Sequence, residues 1–192
     1  MNIGLYFGAF NPVHNGHMKV ANYVLNNSDL DIVWLVLTPK SPHKIDRSLI
    51  DFKHRYKMLK IVCKKNKNIL PSDIEKNLPE PNYTINTLDY LKKETTSDNY
   101  SLIIGDDNIM KFTSWKQHKN IIKNHKIYVY PRNNFIKKYI LTHENIYYLN
   151  APIINVSATN IRKKILDKKT DDLKIDPKVL SYLINNKIKI NI

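Results

Sequence analysis

Met1 to His17 reads MNIGLYFGAFNPVHNGH, and the fold turns on this stretch. Ile3 to Phe7 is an apolar run that suits a buried strand. Gly8-Ala9-Phe10-Asn11-Pro12 supplies the turn residues that end it. After His14-Asn15-Gly16-His17, the residues Met18, Val20, Ala21, Val24 and Leu25 are spaced as the apolar face of a helix. A strand that turns over glycine into a helix N-terminus is suited to anions. Unpaired backbone N–H groups and the positive end of the helix dipole point at one place. Two histidines at that end add side chains that hydrogen-bond a phosphate when neutral or neutralise it when charged. The expected ligand is a polyphosphate. A His-x-x-His pair can also hold zinc, but zinc pairs on helices more often sit at i and i+4. No Cys or acidic third ligand lies nearby.

The chain has 192 residues, with 42% hydrophobic and 25% charged residues. That is ordinary globular composition, and the length suits one domain spanning 1–192 with a sizeable core. No stretch approaches the roughly 20 apolar residues of a membrane span. The opening strand lacks the basic start and cleavage site of a signal peptide. A single cysteine, Cys63, excludes an internal disulfide and fits a reducing cytoplasm; it reads as a residue of a helix face. The net charge is +14, but lysine is spread along the whole chain, with no arginine-rich arm or zinc module. Diffuse charge of this kind points away from specific nucleic-acid binding. It is compatible with steering of anionic small molecules.

The remaining pattern alternates. Strands are expected near 2–7, 32–37, 101–104, 127–130 and 146–149. Helices are expected near 16–26, 50–65, 84–94, 115–123, 160–167 and 176–186. Alternation of this kind argues a doubly wound α/β fold, a parallel sheet with helices on both faces. Ligands then bind beyond the carboxyl ends of the strands, where the strand order reverses. Asp176 before Pro177 reads as a helix N-cap with proline in the first turn.

Ser157 to Thr159 precede a helical pattern at Ile161, Ile165 and Leu166. They suit helix caps, as does Asn160. They also suit a second anion site, because Arg162 adds a planar fork that matches phosphate.

Gly8 to His17 resembles the GxFxPxHxGH signature of the nucleotidylyltransferase superfamily. Ile154-Asn155-Val156-Ser157-Ala158-Thr159-Asn160-Ile161-Arg162 resembles its second signature, ISSTxIR. The resemblance implies a Rossmann-like fold and transfer of a nucleotidyl group from a nucleoside triphosphate to a phosphate acceptor. It implies His14, His17 and Arg162 as catalytic residues. Gly8, Ala9, Phe10, Gly16, Gly105, Asp107, Ser157 and Thr159 would join them around ATP. The family often has a hydroxyl residue where this chain has Ala9, and a second serine at Ala158, so any contact there is made by backbone alone.

The middle of the chain is similar to the bacterial nicotinate-nucleotide adenylyltransferases. Thr38-Pro39-Lys40-Ser41-Pro42-His43-Lys44 resembles their PxxxPHK segment, and Asp51 to Arg55 with Met58 the helix that follows. Asn82-Tyr83-Thr84-Ile85-Asn86-Thr87-Leu88 resembles SYTxDTL, with Asn in place of Ser and Asp. Ile104-Gly105-Asp106-Asp107-Asn108 resembles a GxD loop, followed by Trp115. Tyr128 to Arg132 resembles a later strand with its arginine. The resemblance implies nicotinate mononucleotide as the acceptor, held by Lys44, Tyr83, Thr84, Trp115 and Arg132. Trp115 offers a flat face to the pyridine ring. Backbone N–H groups near Thr84 and Trp115 would take its carboxylate. Asp107 suits a ribose hydroxyl, or a plain helix cap; Tyr83 suits packing as well as binding; Trp34 reads as core.

A phosphate monoester with a second pKa of about 6 needs no enzyme base at neutral pH. Catalysis is then positioning and charge stabilisation. Mg²⁺ is expected, bound mainly through the ATP phosphates. Alternatives are an adenylyltransferase for nicotinamide mononucleotide or phosphopantetheine, and a non-catalytic nucleotide- or nucleic-acid-binding protein. The sequence leaves open whether the chain forms a homo-oligomer.

Overall fold

Six strands, all parallel, lie in the order β3-β2-β1-β4-β5-β6. They are β1 (Asn2–Gly8), β2 (Ile32–Leu37), β3 (Ile69–Ser72), β4 (Asn99–Gly105), β5 (Ile127–Tyr130) and β6 (Ile146–Tyr148). The structure is a computed structural model and describes residues 1–39, 49–132 and 141–192. Parallel neighbours need long crossovers, and helices supply them. These are α1 (Asn15–Asn26), α2 (Phe52–Cys63), α3 (Thr84–Glu94), the short α4 (Asp106–Ile109), and α5 (His118–Asn124). After β6 come α6 (Ala158–Leu166) and α7 (Pro177–Asn185).

Side-chain alternation divides the core between the two faces of the sheet. Tyr6, Val33, Leu35, Leu37, Ile103, Tyr128 and Tyr130 pack under α1, α2, α6 and α7. Ile3, Leu5, Val36, Leu102, Ile104, Ile127 and Val129 pack under α3 and α5. Strands covered on both faces are apolar at nearly every position, which is why they read as continuous runs. The chain moves outward from β1 to β3, then crosses back to place β4 on the other side of β1. The strand order therefore reverses between β1 and β4, and a crevice opens there at the carboxyl ends.

The doubly wound parallel sheet agrees with the sequence reading, with three local corrections. The sequence reading has no strand at β3, whose Pro71 argues against one; β3 lies at the sheet edge, where a missing N–H is tolerated. The helix expected at 115–123 begins only at His118, because Gln117 takes a left-handed φ of 54° and Trp115 is extended. The helix expected over 50–65 spans Phe52–Cys63. Of the caps the sequence offers for α6, Ser157 is the one used: its Oγ accepts from the Asn160 N–H at 3.4 Å. Asp176 caps α7 through Lys178 N–H at 2.8 Å, ahead of Pro177. Cys63 is buried on its helix face, and burial pushes its thiol up to about 12. Among the described residues no helix is long and apolar enough to cross a membrane.

Candidate active site

The first motif wraps the carboxyl end of β1, at the point of reversal. His14 is the N-cap of α1, and its ring stacks on that of His17, with centroids 3.7 Å apart. The His14 backbone N–H donates to His17 Nδ1 at 3.2 Å. In a neutral His17 ring the proton therefore sits on Nε2, which is left as a donor. Gly16 makes the stack possible. A Cβ there would lie 3.0 Å from both Cε1 and Nδ1 of His14 and 3.1 Å from Val156 Cβ. Glycine thus lets the first motif touch the second, although the two lie about 140 residues apart in the chain.

Backbone donors are scarcer here than the sequence implies. The Asn15 N–H is taken by the Lys174 carbonyl at 2.9 Å. Those of His17 and Met18 return to the His14 carbonyl. Gly16 keeps the remaining N–H of the first turn, beside the positive end of the helix dipole. Phe10, expected near ATP, has its side chain in the core at 2% exposure. Its ring meets those of Tyr6 and His17 edge-on, at 5.8 and 4.9 Å. Phe10 could therefore meet a ligand only through its backbone, which takes a left-handed φ of 44°. That conformation is costly for a bulky residue and persists only where the surroundings hold it.

Two buried arginines hold it, one on each side of Phe10. Arg55 of α2 donates to Ala9 O at 2.8 Å, Ile50 O at 2.7 Å, Thr38 O at 2.9 Å and Pro39 O at 3.2 Å. Arg162 of α6 donates to Asn11 O at 2.8 Å, Asn191 O at 2.9 Å and Thr159 Oγ1 at 3.5 Å. Asn11 in turn accepts from the Ile50 N–H at 3.0 Å. The Arg162 fork is thus engaged with protein oxygens, and the residue is 6% exposed. Arg55 and Asn11 both fall in segments that carry the family resemblance, but nothing local in the sequence shows which carbonyls Arg55 would clamp. Ser157 and Thr159 are exposed at the N-terminus of α6, beside the first motif.

The loops after β4 and β5 add a third wall. Asp107 Oδ1 lies 3.6 Å from Arg132 Nε, and the Tyr6 hydroxyl accepts from Arg132 at 3.5 Å. The pair lies over Gly105: a Cβ there would collide with Asp107 Oδ1 and would lie 2.6 Å from Arg132 Nε. Burial, then the Arg132 charge, lowers His14 to about 4. Burial, the neighbouring His14 and Arg132 hold His17 well below the ordinary value. Both rings are therefore neutral donors at pH 7, not imidazolium ions. Arg132 belongs with the histidines electrostatically, although the sequence placed it with the acceptor.

On the α3 side of the sheet, Lys116 Nζ sits 4.7 Å from the centre of the Tyr83 ring, joining the Tyr83–Thr84 turn to the Trp115 segment. Trp115 packs on Phe112 with centroids 5.5 Å apart. Its N–H already donates to Phe112 O at 2.9 Å. The open backbone donors on this side are those that begin α3 at Thr84, where Tyr83 provides no side-chain cap. Lys44 lies outside the described residues. Among those described, no group of three His, Cys, Asp or Glu side chains is arranged to hold a metal ion.

Residues 5–164 match the cytidylyltransferase-like family model. A Flavobacterium psychrophilum protein named "probable nicotinate-nucleotide adenylyltransferase" is 44% identical over 185 residues, covering 95% of this chain and 96% of the relative. A Cytophaga hutchinsonii protein of the same name is 36% identical over 191 residues, covering 100% of both. The fold is shared with the Plasmodium falciparum nicotinic acid mononucleotide adenylyltransferase complexed with NaAD. That structure has a TM-score of 0.78 and 21% identity, covering 97% of this chain and 96% of the other. The same enzyme complexed with APC gives a TM-score of 0.77. With both signature motifs meeting at the reversal point of such a sheet, the chain belongs to the cytidylyltransferase-like family and, within it, to the nicotinate-nucleotide adenylyltransferases.

Proposed function

We propose that the chain transfers the adenylyl group of ATP to nicotinate mononucleotide, forming nicotinate adenine dinucleotide and pyrophosphate. The observation that carries this reading is the meeting of the two motifs at Gly16, His14 and Val156. It sets two helix N-termini and two neutral imidazoles beside the charge of Arg132.

An oxygen of the acceptor phosphate attacks the α-phosphorus of ATP. The new P–O bond forms as the bond to the bridging oxygen breaks, and pyrophosphate leaves with that electron pair. The acceptor is dianionic without help, so no base on the protein is needed. His17 Nε2–H donates to the reacting phosphate, where charge builds, and the buried setting strengthens that bond. His14 supports the same group. Ser157, Thr159 and the start of α6 receive the departing phosphates. Arg162 contributes by holding Asn11 and Thr159 in place. Gly105 and Asp107 are assigned to the ATP ribose, whose hydroxyl would donate to the Asp107 carboxylate. Mg²⁺ would be held mainly by the phosphates and water, and when bound would neutralise triphosphate charge.

The acceptor's pyridine ring would lie against Trp115, with its carboxylate at the N-terminus of α3 by Thr84 and Tyr83. Lys44 follows the same strand end in sequence and is proposed for the acceptor phosphate. The test is pyrophosphate release with ATP, Mg²⁺ and equal concentrations of nicotinate mononucleotide, nicotinamide mononucleotide or phosphopantetheine. Turnover confined to the first supports the reaction and the acceptor. Turnover with another keeps the phosphate chemistry and removes the assignment of Trp115 and Thr84. No turnover with any leaves a nucleotide-binding protein.

A further inference from the structure

Glu75 is the only acidic side chain in the buried class among the described residues, at 1% exposure. It lies in a single 3-10 turn, Ile74–Asn77, directly after the edge strand β3. Nothing in the phosphate chemistry uses it. Its connections run to the acceptor side instead. Oε1 accepts from Thr87 Oγ1 at 2.9 Å. Thr38 lies close enough for its side chain to oppose, with Thr87, the effect of burial on the carboxyl. The backbone carbonyl of Glu75 accepts from Asn82 Nδ2 at 3.1 Å. Thr87 is fully buried on the first turn of α3, and Thr38 ends β2, its N–H donating to Gly8 O at 3.0 Å. The turn after β3 is thus bonded to the start of α3 through the side chain and the backbone of Glu75.

α3 needs such an anchor. Its N-cap is Tyr83, which makes no capping side-chain bond, so the usual local device that fixes a helix start is missing. The residues on either side of Tyr83 and Thr84, namely Asn82 and Thr87, are both tied to Glu75. Two buried acceptors in this pocket, Glu75 Oε2 and Asn82 Oδ1, have no partner. Buried acceptors of this kind are costly unless a donor is supplied. Burial pushes the Glu75 carboxyl up to about 7, against the pull of Thr38 and Thr87. A proton on it supplies a donor and removes a negative charge from the approach of an anionic acceptor.

We propose that Glu75 is a positioning residue for the acceptor, fixing the Tyr83–Thr84 start of α3 against the turn that follows β3. This rests on the reading that the nicotinate ring docks at that helix start. The test compares Glu75→Ala, Glu75→Gln and Thr87→Val with the wild type. It reads kcat, the two KM values, and amide hydrogen exchange over residues 84–88 in the ligand-free protein. Glu75→Ala is expected to raise the acceptor KM about tenfold, or about 1.4 kcal/mol. Its kcat and ATP KM should stay within about twofold, and the first turn of α3 should exchange faster. Thr87→Val, which removes the same bond from the other side, should raise the acceptor KM in the same direction. Glu75→Gln keeps a neutral hydrogen-bonding group and should restore both readouts. Unchanged acceptor KM and unchanged exchange in Glu75→Ala and Thr87→Val would overturn the proposal, as would parallel losses in kcat and both KM values. If Glu75→Ala does not fold, Thr87→Val and Glu75→Gln decide the matter. A wild type that uses a different acceptor would defeat the functional reading alone. The exchange measurement would still decide whether Glu75 holds α3.

Discussion

Gly16→Ala tests whether contact between the two motifs sets the catalytic geometry. In a helix, alanine is favoured over glycine by about 0.8–1.0 kcal/mol, so on local grounds the change should stabilise the protein. The surroundings argue the reverse. The new Cβ would lie 3.0 Å from two atoms of the His14 ring and 3.1 Å from Val156 Cβ. Carbon contacts prefer about 3.5–4.0 Å, so the methyl falls short by about 0.5 Å or more. Overpacking of this kind costs about 1–3 kcal/mol. Set against the helix gain, the net destabilisation is about 0–2 kcal/mol. The catalytic loss should be clearer. A displacement of about 1 Å can cost about a hundredfold, so a shift of about half that in the His14 ring should lower kcat about tenfold. Val156 leads into Ser157, so the ATP KM should rise as well. The assays are urea unfolding and steady-state pyrophosphate release. A variant more stable than wild type by the full helix increment, with unchanged kcat, would show that His14 and Val156 yield freely. The close approach would then have no catalytic meaning.

Three further outcomes follow from the site. His17→Ala should lower kcat about a hundredfold or more, the scale of losing one preorganised donor to the developing charge. It should also lower the urea midpoint, because the ring stacks on His14 and accepts its backbone N–H, but leave the variant folded; full activity, or an unfolded variant, removes His17 from its assigned part. His14 has a folded value of about 4 against an ordinary 6.5, so between those values the unfolded chain binds more protons. Stability from this group is complete above about 6.5 and lost as pH falls towards 4, by about 3 kcal/mol; urea midpoints should fall less steeply with acid in His14→Asn, and identical slopes would refute the burial argument. Arg55→Lys leaves one ammonium where a fork met four carbonyls, so it should destabilise by about 3 kcal/mol and raise the ATP KM by loosening Ala9; wild-type stability would show that the clamp is dispensable.

Comparison of particular residues shows where sequence reasoning holds and where it stops. The runs Ile3–Phe7 and Ile32–Leu37 are legible because each is apolar on both faces, and both appear as β1 and β2. Ser157 and Asp176 are legible as caps because capping is a bond over two or three residues. β3 is not, because only its edge position makes Pro71 acceptable. Phe10 and Arg162 lie in the expected motifs, yet the first is packed in the core and the second is bonded to carbonyls. A motif marks that a residue belongs to a site without saying which atoms face the ligand.

By itself the sequence determined the alternating parallel architecture, the turn after β1 and the second helix start at Ser157. Those depend on periodicity, turn chemistry and caps, all of which act over a few residues. Only the tertiary structure decided that Arg55 and Arg162 grip the carbonyls on either side of Phe10, from 46 and 151 residues away. It also decided that the charge of Arg132 lies near enough to lower both histidines, and that Glu75 bonds to Thr87 of α3. The physical reason is that a buried charge is placed by the partners the chain's return brings to it, and no local pattern records which carbonyl or hydroxyl that will be.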